Sequence, residues 1–212
     1  MRRFSDLFLA VFVCLAIASC ARQEFVFRSG DLVFCVAGTE GMSSAVAAST
    51  AWGDSVKFDH VAIVAVNEGI PYIIEATSSA GVRCIPWEEF LETSSGGGRR
   101  GAVVMRVNTE FPLDKAIDRA MECIGQEYDW HFLPDNGKLY CSELVWECYR
   151  WDDGSRLFSA SPMNFRDSEG NMPEFWTALF EKFGEPVPEG APGTNPNDMS
   201  KSPALTFVHR FF

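Results

Sequence analysis

The hydrophobic period of this 212-residue chain changes once, and that change constrains its fold more than any other feature. Up to residue 107 the apolar residues come in short runs: Leu32–Val36, His60–Val66, Tyr72–Thr77, Val82–Ile85 and Ala102–Val107. These runs favour β-branched side chains and are broken by turn signals such as Asn67-Glu68-Gly69 and by Pro86, so they read as strands. Beyond them, Leu113, Ala116, Ile117, Ala120, Met121 and Ile124 recur at helical spacing, with Pro112 near the start and Gly125 at the end. A second helix is expected from Cys141 to Arg150, with Leu144, Val145 and Cys148 as its apolar stripe. Strands and helices are segregated rather than alternating. That predicts an α+β fold, an antiparallel sheet or partial barrel with the second helix packed on it.

The connecting segments are less regular. Gly38 to Ser49 reads as a loop leading into a short helix, Trp87 to Leu91 as one or two helical turns, and 126–139 as a loop. Residues 184–204, rich in Pro and Gly, read as a long irregular crossing before a terminal strand at Phe207–Phe212. The length suits one domain, expected over residues 29–212.

The N-terminus predicts export. Met1-Arg2-Arg3 is a positive start, and the apolar run Leu7 to Ala18 is too short to span a bilayer as a helix. Ile17-Ala18-Ser19-Cys20 follows, and it resembles the lipobox of bacterial lipoproteins. The resemblance implies removal of residues 1–19 as a signal peptide, acylation of Cys20, and a lipidated tether over 20–28. The expected location is then the cell envelope, membrane-anchored and facing the periplasm.

Net charge is −11, and losing Arg2, Arg3 and Asp6 leaves the chain acidic. Such a chain repels nucleic acid, and Arg99-Arg100 is too small a basic cluster to reverse that. Cys35, Cys84, Cys123, Cys141 and Cys148 are odd in number and irregularly spaced on apolar segments, so they read as core cysteines rather than a disulfide framework. No HExxH or CxxC pattern or nucleotide-binding glycine loop is present, so neither metal nor cofactor is expected.

Three residues carry candidate chemistry. Cys141 falls at the first turn of a helix, where unpaired backbone N–H groups and the helix dipole favour a thiolate and can hold an oxyanion. His60 opens a strand and is the best placed of the three histidines to act as base; His131 lies in a loop and His209 in the terminal strand. Glu75 sits inside Tyr72-Ile73-Ile74-Glu75-Ala76, on the strand that returns from His60. A two- or four-residue turn puts His60 and Glu75 on one face; a type I turn with a Gly69 bulge puts them on opposite faces. The same face is expected, because a Glu within so apolar a strand is otherwise hard to explain. Singly, each residue has a plain structural explanation; the argument rests on all three. Tyr140 and Asp129 are candidate substrate-binding residues, although packing for the first and capping for the second are competing roles.

In order, Gly30-Asp31-Leu32-Val33-Phe34, Asp59-His60-Val61-Ala62-Ile63-Val64, Ile74-Glu75-Ala76, Gly125-Gln126-Glu127-Tyr128-Asp129 and Tyr140-Cys141-Ser142-Glu143-Leu144-Val145 resemble the permuted papain-like branch of the NlpC/P60 superfamily, its YiiX/YebB-like group. The His precedes the Cys, which is the permuted order. The resemblance implies a cysteine hydrolase with the triad Cys141, His60 and Glu75, acting on amides such as envelope peptides through a thioester acyl-enzyme. Lipid acyl transfer or ester hydrolysis, and a non-catalytic binding lipoprotein, are the alternatives.

Overall fold

The computed structural model describes residues 25–96 and 101–211; the expected signal peptide, Cys20 and most of the tether lie outside the described residues. The chain runs β1 (Leu32–Val36), α1 (Gly41–Thr50), β2 (Phe58–Asn67), β3 (Ile70–Thr77), β4 (Gly81–Pro86), α2 (Trp87–Gly96), β5 (Ala102–Val107), α3 (Leu113–Glu122), α4 (Cys141–Cys148), β6 (Ser161–Pro162), α5 (Glu174–Phe183), β7 (Pro192–Gly193), α6 (Pro196–Ser200) and β8 (Leu205–Phe211). Six strands form one antiparallel sheet in the order β4-β3-β2-β1-β5-β8, and β6 pairs with β7. The fold is α+β, an antiparallel sheet with α4 packed on it, as the segregated periods predict.

Alternation along the strands builds two cores. Leu32, Phe34, Val61, Ile63, Ile74 and Val103 join Leu144 and Val145 of α4 and Trp176 and Phe180 of α5. Val33, Ala62, Val64, Ile73 and Val104 join Trp87 and Phe90 of α2. Burial of these side chains on both faces explains the nearly continuous apolar runs of β1 and β2.

Two local devices set the register on which the candidate site depends. The β2–β3 turn has two residues, Glu68 and Gly69, both left-handed at φ 50° and 83°, a geometry that suits a tight hairpin. Its ladder pairs Asn67 with Ile70 and Ile63 with Ile74. Continued in step, it sets Glu75 diagonal to His60 on one face. The second device is a register shift where β1 pairs with β2: Cys35 faces His60, but Val36 faces Phe58. The extra residue, Asp59, makes a bulge, and both Asp59 and His60 border the cleft described below.

Residues 173–200 contain α5, β7 and α6, of which β7 and α6 fall in the segment expected to be an irregular crossing. Asn195 caps α6 by accepting the Asp198 N–H at 2.8 Å. This five-residue helix is too short to show in hydrophobic period, which is why the sequence reads as a loop there.

Candidate active site

Cys141 is the first residue of α4, entered from an extended Tyr140. Leu144 and Val145 are fully buried and seat the helix against β2 and β3. The approach to the helix is fixed by its own loop: Tyr128 bridges Leu139, and the Leu139 N–H donates to Glu127 O at 3.1 Å. The Glu143 carboxyl accepts the Tyr140 N–H at 3.4 Å and closes the first turn. Burial, reinforced by the Asp129 charge, pushes the Glu143 pKa up to about 8.

Cys141 lines a cleft of about 320 Å³ together with His60, Glu75 and Arg83. His60 Nε2 lies 2.7 Å from Glu75 Oε2. Arg83 donates to the other oxygen, Oε1, from Nε at 2.9 Å and Nη2 at 2.7 Å. Glu75 is 2% exposed. Burial by itself raises such a carboxyl, but the bonds and charges of His60 and Arg83 outweigh it and hold Glu75 below its ordinary value. An ionised Glu75 is an acceptor only, so Nε2 carries the proton toward it and Nδ1 is the nitrogen that exchanges one.

Both cores contribute walls. Phe132, Phe165 and Trp176 form an edge-to-face cluster with centroids 5.1–5.9 Å apart, and Phe132 also lies 5.3 Å from Tyr140. From the other core come Thr93 and Ser94 of α2. The Tyr140 hydroxyl accepts the Thr194 N–H at 3.0 Å, and burial holds its pKa far above the ordinary tyrosine value, so it keeps its proton. Buried hydroxyl oxygens of Thr77, Ser142 and Thr194, three cleft-lining residues, have no protein hydrogen-bond partner.

The sequence matches the family described as permuted papain-like amidase enzyme, YaeF/YiiX, C92, over residues 26–209. The chain belongs to this permuted papain-like amidase family. It is 23% identical over 184 residues to the uncharacterized protein YiiX of Escherichia coli K12, covering 85% of each chain. It also shares its fold with a crystal structure titled metalloprotein yiiX from Escherichia coli O157:H7, at TM-score 0.72 and 23% identity, covering 89% of this chain and 99% of that one.

Of the candidate residues in this permuted papain-like amidase, the cleft brings together Cys141, His60, Glu75 and Tyr140. Asp129 is a correction. It is fully buried and does not border the cleft; its two oxygens accept the N–H groups of His131 at 2.9 Å and Leu133 at 2.8 Å. That turn holds Phe132 at φ 54°, with its ring among the aromatics of the wall, so Asp129 shapes the site indirectly. Asp59 lies within β2 and borders the cleft.

Arg83 escaped the sequence reading. Its signal was present: like Glu75, it is a charged residue in an apolar strand, and the two pair directly across β3 and β4. The region of 184–204 also forms part of the site. Asn197 accepts the Phe58 N–H at 2.8 Å and donates to Phe58 O at 2.7 Å, pinning β2 two residues before His60.

Proposed function

We propose that this chain is a cysteine-dependent amide hydrolase of the bacterial envelope, an amidase or peptidase acting through a thioester acyl-enzyme. The observation that carries the reading is the His60–Glu75 hydrogen bond of 2.7 Å in a cleft that Cys141 borders from a helix N-terminus. In the reaction, Cys141 Sγ attacks the amide carbonyl carbon and His60 Nδ1 takes the thiol proton. Backbone N–H groups of the first turn of α4 stabilise the oxyanion, with the protonated Tyr140 hydroxyl as a further donor. The C–N bond then breaks, and the amine leaves with the proton returned by His60. Water, deprotonated by His60, attacks the thioester; the carboxylate product departs and the thiol is restored. Glu75 keeps the imidazole in one tautomer throughout.

The substrate class is an amide-containing envelope peptide or a small amide or lipid. The domain is held at the membrane, facing the periplasm, by an acylated Cys20. Acyl transfer or ester hydrolysis is the second reading, and the Phe132–Phe165–Trp176 wall favours it by offering an apolar seat for an acyl chain.

The solved YiiX structure is titled a metalloprotein. Among the described residues of this chain no group of three or more His, Cys, Asp or Glu side chains is arranged to hold a metal ion. The Glu75 carboxylate is committed to His60 and Arg83. The described residues of the cleft do not fit a resident metal, and no step above passes through one.

The test is turnover of a panel of peptide amides, N-acyl amides and acyl esters, with and without an added alcohol or amine acceptor. Amide hydrolysis that disappears in Cys141→Ala and His60→Ala supports the reading. Turnover that needs the acceptor favours the second one. Binding without turnover, or turnover untouched in Cys141→Ala, overturns both.

A further inference from the structure

We propose that Arg83 is a positioning residue for the Cys141–His60 pair, acting through Glu75: its guanidinium aims the carboxylate at His60 and offsets part of the carboxylate's charge. The proposal rests on the hydrolase reading above.

The geometry divides Glu75 between two partners. Arg83 sits directly opposite Glu75 in the β3–β4 ladder, so the backbone register itself delivers the guanidinium. Its Nε and Nη2 both donate to Oε1, at 2.9 and 2.7 Å, and Oε2 faces His60 Nε2 at 2.7 Å. A planar fork on one oxygen fixes rotation of the carboxylate, so the second oxygen keeps its aim. With a single partner the carboxylate is free to turn out of line with His60.

The second consequence is electrostatic. An uncompensated buried carboxylate holds an imidazolium proton tightly and makes His60 a poor base. The Arg83 charge offsets part of that field. The Arg83 side chain is 28% exposed and that of Glu75 3%, so the pair lies at the wall of the cleft, partly screened. The other ionisable groups bordering the cleft are Asp59 of β2, Tyr128 of the loop before α4, and Tyr140 and Cys141 at the start of α4. The contributions of α1, α2, α5 and α6 to its lining are neutral: Met42, Ser43, Val46, Ser49 and Thr50; Thr93 and Ser94; Trp176; and Pro196. Apart from a protonated His60, Arg83 is the one cation among the described cleft-lining residues.

The test needs no substrate. The rate of Cys141 alkylation by iodoacetamide is followed from pH 4 to 10 by peptide-resolved mass spectrometry in the wild type, Arg83→Gln, Arg83→Lys and Glu75→Gln. Thermal unfolding monitors the fold of each. Removing a positive charge favours the protonated forms, so both limbs of the Arg83→Gln profile move up by roughly one pH unit. Removing the carboxylate charge in Glu75→Gln moves the upper limb down. Arg83→Lys keeps the charge without the fork, so its limbs stay near wild type while the plateau rate falls. If Arg83→Gln does not fold, the Arg83→Lys and Glu75→Gln profiles decide: limbs displaced in Arg83→Lys, or unmoved in Glu75→Gln, overturn the proposal. An unchanged Arg83→Gln profile with Cys141 still reactive overturns the role of Arg83 and leaves the hydrolase reading standing. An unreactive Cys141 in the wild type overturns that reading, and this proposal with it.

Discussion

Asn197 satisfies both backbone polar groups of Phe58, with Oδ1 2.8 Å from the amide nitrogen and Nδ2 2.7 Å from the carbonyl oxygen. The two residues are 139 apart in sequence, so the C-terminal segment fastens the start of the strand that carries His60. The same Nδ2 also donates to Thr50 Oγ1 at 2.8 Å, tying α1 to this point.

Asn197→Ala therefore leaves a buried N–H and a buried C=O at Phe58 without their partners. The expected loss of stability is roughly 2–6 kcal/mol, since each of the two orphaned groups costs about 1–3 kcal/mol. Urea denaturation checks it. A loss within about 0.5 kcal/mol, the level of an ordinary surface substitution, would show that the clasp is not structural.

Glu143 gives a pH dependence of definite sign. Its pKa rises from the ordinary 4.5 to about 8 in the folded chain because burial, together with the Asp129 charge, disfavours the anion. Between those values the native state keeps a proton that the unfolded chain has released. Its contribution to stability is complete below about pH 4.5 and is lost as pH rises through about 8. The slope reaches at most about 1.4 kcal/mol per pH unit. Glu143→Gln, which stays neutral, flattens this dependence and leaves the variant relatively more stable at pH 8 than at pH 5. Denaturation series at several pH values read the slope directly, and parallel curves for the two proteins would contradict the assignment.

Much of this was legible in the sequence, for physical reasons that differ by element. The β1–β5 strands and α3 show themselves by period because each buries a regular stripe. The same-face placement of His60 and Glu75 was expected because a Glu is hard to explain in so apolar a strand; the register itself was open, and the two-residue Glu68-Gly69 turn supplies it, because hairpin register follows turn length. Arg83 was not read, because a charge in an edge strand such as β4 is ordinarily a solvent-facing residue; only its partner across the ladder marks it as part of the site. The cleft wall from Thr194 to Pro196 was hidden for another reason: α6 has only five residues, so a cap, a side-chain clasp on β2 and the buried Met199 hold it without a repeating apolar stripe. For Asp129 the structure shows the capping role that competed with substrate binding, because a buried carboxylate that binds two backbone N–H groups has the same sequence appearance as one that binds a substrate.

The envelope placement has its own test. Cys20→Ser in the full-length chain is expected to block acylation and to leave residues 1–19 attached. Radiolabelled fatty acid incorporation and the intact mass of the product measure both. Normal processing and membrane retention of the variant would remove the lipoprotein assignment without touching the chemistry of the cleft.

The central claim is that His60 activates Cys141, and competitive alkylation tests it most directly. Cys35, Cys84, Cys123, Cys141 and Cys148 carry no disulfide among the described residues, so all five report in one experiment. The folded wild-type domain is treated with limiting iodoacetamide at neutral pH, and labelling at each cysteine is quantified by mass spectrometry, then repeated with His60→Ala. The account predicts that Cys141 is labelled fastest in the wild type and falls at least tenfold in His60→Ala, while the other four are unchanged. Preferential labelling of Cys84 or Cys123, the two more exposed thiols, or a Cys141 rate indifferent to His60, would contradict it.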